Sequence, residues 1–211
     1  MLERIQYISQ GLTLTEQKYN ILKALDAGAT WIQIRWKQTD ERNFALLAQE
    51  IKKICEQFGA KCIINDYVSL AKDLDVDGVH LGLGDCPIAT ARLLLGPDKI
   101  IGGTANTLAD VQQRIAEKCN YIGLGPFQYT TTKQKLSPLL GAIGYASIID
   151  HINQGEIPTI PIFAIGGIGS LEDIKNLLQA GVYGVAVSGL LTQTPHIISS
   201  IKNILPCINY K

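Results

Sequence analysis

The chain has 211 residues, 46% of them hydrophobic, and its 19 basic residues balance 19 acidic ones. That length can bury one sizeable core and leaves little room for a second, so residues 1–211 read as a single domain. A zero net charge lacks the basic excess of nucleic-acid binders, and no apolar run approaches the roughly 20 residues that span a bilayer.

From the N-terminus onward, short β-rich runs alternate with amphipathic helical stretches. Strands are predicted over 5–9, 31–35, 61–65, 78–81, 99–102, 121–124, 160–165 and 184–188. Eight strands, each followed by a helix, are the signature of a (βα)8 TIM barrel. An open doubly wound sheet would usually carry its glycine-rich loop after the first strand. Here the glycine doublet, Gly166-Gly167, follows the seventh.

Helix starts are marked by Thr13-x-x-Glu16, Thr107-x-x-Asp110 and Ser170-x-x-Asp173, each with the spacing of a capping box. In the second helix, Phe44, Leu47, Ala48, Ile51, Ile54, Cys55 and Phe58 form one apolar face. Thr194-Pro195 is read as the cap and first residue of the last helix. Residues 125–138 form the one long irregular stretch, a length that often marks a functional loop. The five cysteines (Cys55, Cys62, Cys86, Cys119, Cys207) contain no C-x-x-C pair. They predict neither a disulfide framework nor a zinc site, and Cys55 and Cys62 read as core thiols. With no signal-peptide order at the N-terminus, the cytoplasm is the expected location.

In a barrel, chemistry collects where the strands end. The second strand ends in Gln33-Ile34-Arg35-Trp36-Lys37, and alternation turns Gln33, Arg35 and Lys37 the same way. Two cations facing inward favour an anionic ligand, the alternative being a solvated loop. The third strand ends in Asn65-Asp66, and Asp85 follows the fourth. Two carboxylates beside a phosphate repel it by about 4 kcal/mol per charge pair at contact, which a bridging Mg2+ would reverse. Either aspartate could instead cap a helix. His80 reads as a hydrogen-bonded core residue. Thr104 faces the mouth, and the loop after the sixth strand offers Thr130, Thr132 and Lys133. Gly167 after the seventh strand and Val187-Ser188 at the end of the eighth occupy the recurrent phosphate site of such barrels.

Together these segments resemble the thiamine-phosphate synthase family from the second strand to the eighth. The matching pieces are QIRWK (33–37), IND (64–66), DGVHLG with Asp85 beyond it, IIGGTANT (100–107), YIGLGPFQYTTTK (121–133), IPIFAIGGI (160–168) and GVAVSG (184–189). The resemblance implies an enzyme that joins a pyrimidine methyl diphosphate to a thiazole phosphate, releasing pyrophosphate and forming thiamine phosphate. Its small-molecule substrates would be held by Gln33, Arg35, Lys37, Asn65, Thr104 and Lys133 around the diphosphate. Asp66 and Asp85 would hold Mg2+, and Thr130, Thr132, Gly167, Val187 and Ser188 would receive the thiazole phosphate. Arg35, Lys37, Thr104 and Lys133 would carry the catalysis.

Three departures stand out. Where the family commonly reads HLGQ, an acidic residue and Asp, this chain has His80-Leu81-Gly82-Leu83-Gly84-Asp85. Thr104 replaces the usual serine, and Asn106 the usual histidine. The last bears on the nearest rival, a thiazole tautomerase that transfers a proton with a histidine after the fifth strand, because an amide cannot act as general base. An aldolase would need an inner-strand lysine, and Lys37 and Lys133 sit at loop positions among anion ligands. A non-catalytic phosphate-binding barrel would be expected to lose Arg35, Asp66 or Lys133, and all three are present. Pairing of copies through the outer helices has no signature either way.

Overall fold

The computed structural model of the chain describes residues 2–130, 138–155 and 160–205. Eight strands form a closed barrel: β1 (Ile5–Ile8), β2 (Trp31–Ile34), β3 (Lys61–Asn65), β4 (Gly78–Leu81), β5 (Ile100–Ala105), β6 (Tyr121–Leu124), β7 (Ile162–Ile165) and β8 (Gly184–Val187). Neighbours pair parallel in chain order, and β8 returns to β1 with Tyr7 opposite Val187. This is the (βα)8 barrel that the alternation predicts. The largest shift from expectation is in β5, which continues to Ala105 rather than ending at Gly102, so that Thr104 sits on the strand itself.

Around the barrel lie α1 (Leu14–Asp26), α2 (Glu41–Phe58), α3 (Val68–Asp73), α4 (Ile88–Leu95), α5 (Leu108–Ala116), α6 (Gly141–Gln154), α7 (Leu171–Gln179), α8 (Gly189–Gln193) and α9 (Ile197–Ile204). The three predicted capping boxes form as expected, at Thr13–Glu16, Thr107–Asp110 and Ser170–Asp173. Each satisfies free N–H groups of a first turn and contributes about 1 kcal/mol. Asp40 caps α2 by accepting from Asn43 N–H at 2.7 Å, and Gly59 ends it in a left-handed turn. Phe44, Leu47, Ala48, Ile51 and Cys55 of α2 are buried as predicted, whereas Phe58 is 43% exposed. The apolar period runs to the helix end, but the cover does not. Cys62 is buried like Cys55, and Cys207 lies outside the described residues.

One helix start differs from expectation. Thr194-Pro195 does not open α9; the helix begins at Ile197, whose N–H donates to Thr194 C=O at 3.1 Å. The two residues form the turn between α9 and α8, a short helix that the sequence reading did not anticipate. Amphipathic period cannot reveal five residues.

Strand alternation divides the barrel wall into two faces. Ile32 and Ile34 pack outward among helix residues, while Trp31 belongs to an inner cluster with Ile63, Tyr121, Phe163, Tyr183 and Ala186. Trp31, Tyr121 and Phe163 meet edge to face, with ring centroids 5.0–5.5 Å apart. This aromatic plug fills the lower barrel. It needs a bare backbone beside it, since a Cβ on Gly102 would lie 2.1 Å from the Tyr121 ring. Above the plug the inward side chains become polar, and there the cavities begin.

Candidate active site

Inward residues of β2 to β5 and the loops after them line a cavity of about 370 Å3 at the C-terminal mouth. Its wall contains Gln33, Arg35, Lys37, Asn65, Asp66, Asp85 and Thr104. Of the predicted pyrimidine-diphosphate and metal residues, only Lys133 is missing from this wall, and it lies outside the described residues. Gln33 and Asn65 are buried and bonded to each other, Gln33 Nε2 donating to Asn65 Oδ1 at 2.8 Å. Lys37 is exposed and ion-paired with Asp66.

Asp66 is held by an unusual backbone. Its φ is +70°, and Tyr67 N–H closes a three-residue turn onto Asn65 C=O at 3.0 Å. Such a conformation at a side-chain-bearing residue costs on the order of 1–3 kcal/mol. It brings the Asp66 carboxylate into hydrogen-bonding reach of both Lys37 and Asp85. Asp85 in turn accepts from Gly82 N–H at 2.6 Å. Neither aspartate caps a helix: α3 begins after Tyr67 and α4 after Pro87, both without a side-chain cap. The helix-cap alternative is thereby removed.

The electrostatics are those of a shared carboxylate pair. Burial, together with the hydrogen bond it donates to Asp85, pushes the Asp66 carboxyl above the ordinary carboxylate range. At Asp85 burial also pushes upward, but hydrogen bonds from Asp66 and Gly82 N–H, with the Lys37 charge, outweigh it and hold that carboxyl low. Burial lowers the Arg35 guanidinium, partly countered by the Asp66 charge. Beneath them, burial and the nearby Arg114 charge pull His80 down to about 4, so its imidazole is neutral at pH 7. His80 Nε2 lies 3.0 Å from the Thr104 hydroxyl, and its Nδ1 lies 3.0 Å from the Tyr121 hydroxyl. It is the hydrogen-bonded core residue that the sequence reading expected, and it also touches a site residue.

Inward ends of β6 to β8 build a second cavity, of about 360 Å3, lined by Thr130, Gly166, Gly167, Val187, Ser188 and Gly189 among others. Here the predicted thiazole-phosphate residues gather, except Thr132, which lies outside the described residues. Gly166 and Gly167 have φ of +82° and +76°, and a Cβ on Gly167 would lie 2.5 Å from Gln128 O. Only glycine fits such a turn without strain. Phe127 and Gln128 N–H groups bond to Gly166 C=O at 3.0 and 3.1 Å, pinning the loop after β7 to the loop after β6.

The two cavities share Ile8, Arg35, Asn106 and Ile165. Asn106 is more than a departure from a family histidine. It is buried, its side-chain amide donates to Gly125 C=O, and its backbone N–H donates to Asp110 at 2.9 Å. Arg114 was also missed. From α5, its buried guanidinium donates to Thr104 C=O and Gly82 C=O, both at 3.0 Å, and pairs with Glu117. It ties the ends of β4 and β5 together from behind the site. Its sequence signal was an arginine on the apolar side of a helix, three residues after Val111.

Comparison with known proteins gives the family of this barrel. The thiamine monophosphate synthase family matches residues 8–191. A thiamine-phosphate synthase of Flavobacterium psychrophilum is 55% identical over 92% of this chain and 93% of its own length. One from Bacteroides fragilis is 44% identical over 93% of this chain and 97% of its own. Among solved structures, a thiamine phosphate pyrophosphorylase from Pyrococcus furiosus superposes with a TM-score of 0.80 at 25% identity, covering 96% of both chains. The chain belongs to the thiamine monophosphate synthase family and is a transferase of thiamine biosynthesis.

Proposed function

We propose that the acidic cavity binds a pyrimidine methyl diphosphate and the glycine-lined cavity a thiazole phosphate, and that the chain joins them into thiamine phosphate with release of pyrophosphate. One observation carries this reading: two cavities of similar size, each suited to an anion, meet across the side chain of Arg35.

Asp66 and Asp85 fit Mg2+. Both offer hard oxygen donors, they lie within reach of each other, and Mg2+ is commonly held by one or two carboxylates with substrate phosphates completing the shell. Among the described residues no group of three or more His, Cys, Asp or Glu side chains converges, so diphosphate oxygens would supply the remaining ligands. Leu83 and Gly84, beside Asp85, add none. When bound, Mg2+ would neutralise charge on the departing pyrophosphate.

Arg35 and Lys37 stabilise that same growing charge, with Lys133 from the loop after β6 and the Thr104 hydroxyl completing the set. The C–O bond to the pyrimidine methylene breaks first, its electron pair leaving with pyrophosphate. The resulting cation is stabilised by the pyrimidine ring. The thiazole nitrogen, held by its phosphate in the second cavity, then donates its lone pair to form the C–N bond. No proton moves and no protein nucleophile is required. The barrel wall contributes charge stabilisation, alignment and exclusion of water. The proton-transfer alternative finds no base at Asn106, whose amide is engaged with Gly125.

The test is pyrophosphate release by the purified protein, with each substrate alone and both together, with and without Mg2+. Release that needs both substrates and the metal is the expected result. Release from the diphosphate alone at the same rate, or none with both substrates and metal, would overturn the reading.

A further inference from the structure

Along the inner wall of the acidic cavity runs a line of four polar side chains that the transfer reaction does not by itself explain; three of them, Gln6, His80 and Thr104, line the cavity. Gln6, on β1, is 1% exposed, and its Nε2 lies 3.1 Å from the Tyr121 hydroxyl. Tyr121 is fully buried, and its hydroxyl lies 3.0 Å from His80 Nδ1. His80 Nε2 lies 3.0 Å from Thr104 Oγ1, and Thr104 lines the cavity. Four strands, β1, β6, β4 and β5, are spanned by three hydrogen bonds.

These bonds have a direction. An amide nitrogen only donates, so the Tyr121 oxygen accepts from Gln6. The single Tyr121 proton then goes to His80 Nδ1. A neutral imidazole that accepts at Nδ1 carries its proton on Nε2 and donates it to Thr104 Oγ1. The Thr104 oxygen is thereby used as an acceptor from below, and its own proton turns toward the cavity. A doubly protonated imidazole does not fit, because Tyr121 would receive two protons and have no acceptor for its own.

Gln6 sets the polarity of the whole line. Turning its amide over would reverse every bond and aim a Thr104 lone pair at the cavity. In the present orientation one buried atom, Gln6 Oε1, has no partner among the described residues. Reversal would put the two N–H groups of the amide in that place instead. Two orphan donors cost more than one orphan acceptor. The cavity above also holds Arg35 and Lys37, which suit an anion and therefore a donor from Thr104.

We propose that Gln6, Tyr121 and His80 are positioning residues that act through Thr104, fixing its hydroxyl as a hydrogen-bond donor to a phosphate oxygen in the acidic cavity. The donor role rests on the function proposed above, whereas the polarity of the line does not.

The deciding experiment is 15N NMR of the imidazoles in the full chain without substrate. His151→Gln with His196→Gln leaves His80 as the sole histidine. The expected spectrum is that of a neutral ring protonated at Nε2, shifting toward a mixture of tautomers in Tyr121→Phe. A ring protonated at Nδ1, or at both nitrogens at pH 7.5, overturns the proposal. Inorganic pyrophosphate with Mg2+ reports the consequence. Thr104→Val should weaken its binding about tenfold and Thr104→Ser less than twofold, as loss and retention of one donor to a charged group predict. Equal binding by Thr104→Val would overturn the donor role. An inactive protein with an Nε2-protonated His80 would instead overturn the transferase reading and leave the line intact.

Discussion

The two cavities at the barrel mouth, both proposed to take phosphorylated ligands, are built from different parts of the amino acid. The acidic cavity is walled by charged side chains: Arg35, Lys37, Asp66 and Asp85 converge from the ends of β2, β3 and β4. In the glycine-lined cavity much of the wall is backbone, at Gly166, Gly167 and Gly189, and Arg35 is the one charged side chain among the described lining residues. The first is tuned by charge and protonation. The second is tuned by how closely the chain can approach. Substitutions should therefore fail in different ways on the two sides.

The largest effect belongs to the acidic side. Asp66→Ala and, separately, Lys133→Ala should each lower kcat/KM by about 1,000-fold, the scale of losing one key electrostatic stabiliser. Melting temperatures should stay within a few degrees of the parent. Turnover near the parental rate in either variant would break the assignment of diphosphate chemistry to that cavity.

Acidification should separate the two sides next. His80 titrates near 4 when folded, against about 6.5 when exposed. Between those values the unfolded chain binds the extra proton and the folded one does not, so stability is lost as pH falls from about 6.5 to about 4. The loss is on the order of 3 kcal/mol and is measurable as a falling urea midpoint. A midpoint that stays flat through that window would place the imidazole in a wetter setting than the one described.

Gly167→Ala should act on the other cavity. A methyl group there would crowd Gln128 O at 2.5 Å and strain a positive-φ turn. The expected outcome is a KM for thiazole phosphate raised about tenfold, with a much smaller change for the diphosphate substrate. Equal changes in both would show that the cavities are coupled through Arg35 rather than separable.

The smallest effect concerns the metal. Because the Asp66 carboxyl is pushed above the ordinary carboxylate range, proton and cation compete for it as the pH falls. The Mg2+ concentration for half-maximal rate should rise as the pH falls toward the range in which Asp66 takes up its proton. An unchanged requirement would argue that the cation touches only the substrate.

The same contrast explains what the sequence could reveal. Arg35, Lys37, Asp66 and Asp85 are conspicuous in a sequence because their chemistry lies in their side chains, and their places at or just after strand ends put them on one rim. The glycine cavity was legible from Gly166-Gly167 and its place after β7, since positive φ leaves a mark in residue type. The left-handed turn at Asp66 leaves no such mark, because aspartate gives no sign of its φ. Arg114 was hidden for a related reason: its partners, Gly82 C=O and Thr104 C=O, are backbone groups present in any sequence. Helix α8 escaped because one turn is too short to show a period. The Gln6–Tyr121–His80 line needs three strands in register, which no single stretch of chain encodes.

The aromatic plug has a consequence for traffic. With Trp31, Tyr121 and Phe163 closing the lower barrel, the described residues leave the cavities blind at the bottom and open at the C-terminal mouth. Arriving substrates and departing products must use that same opening. In the proposed reaction a pyrophosphate that lingers in the acidic cavity would block the next diphosphate from entering, making the catalytic cycle a queue as much as a reaction.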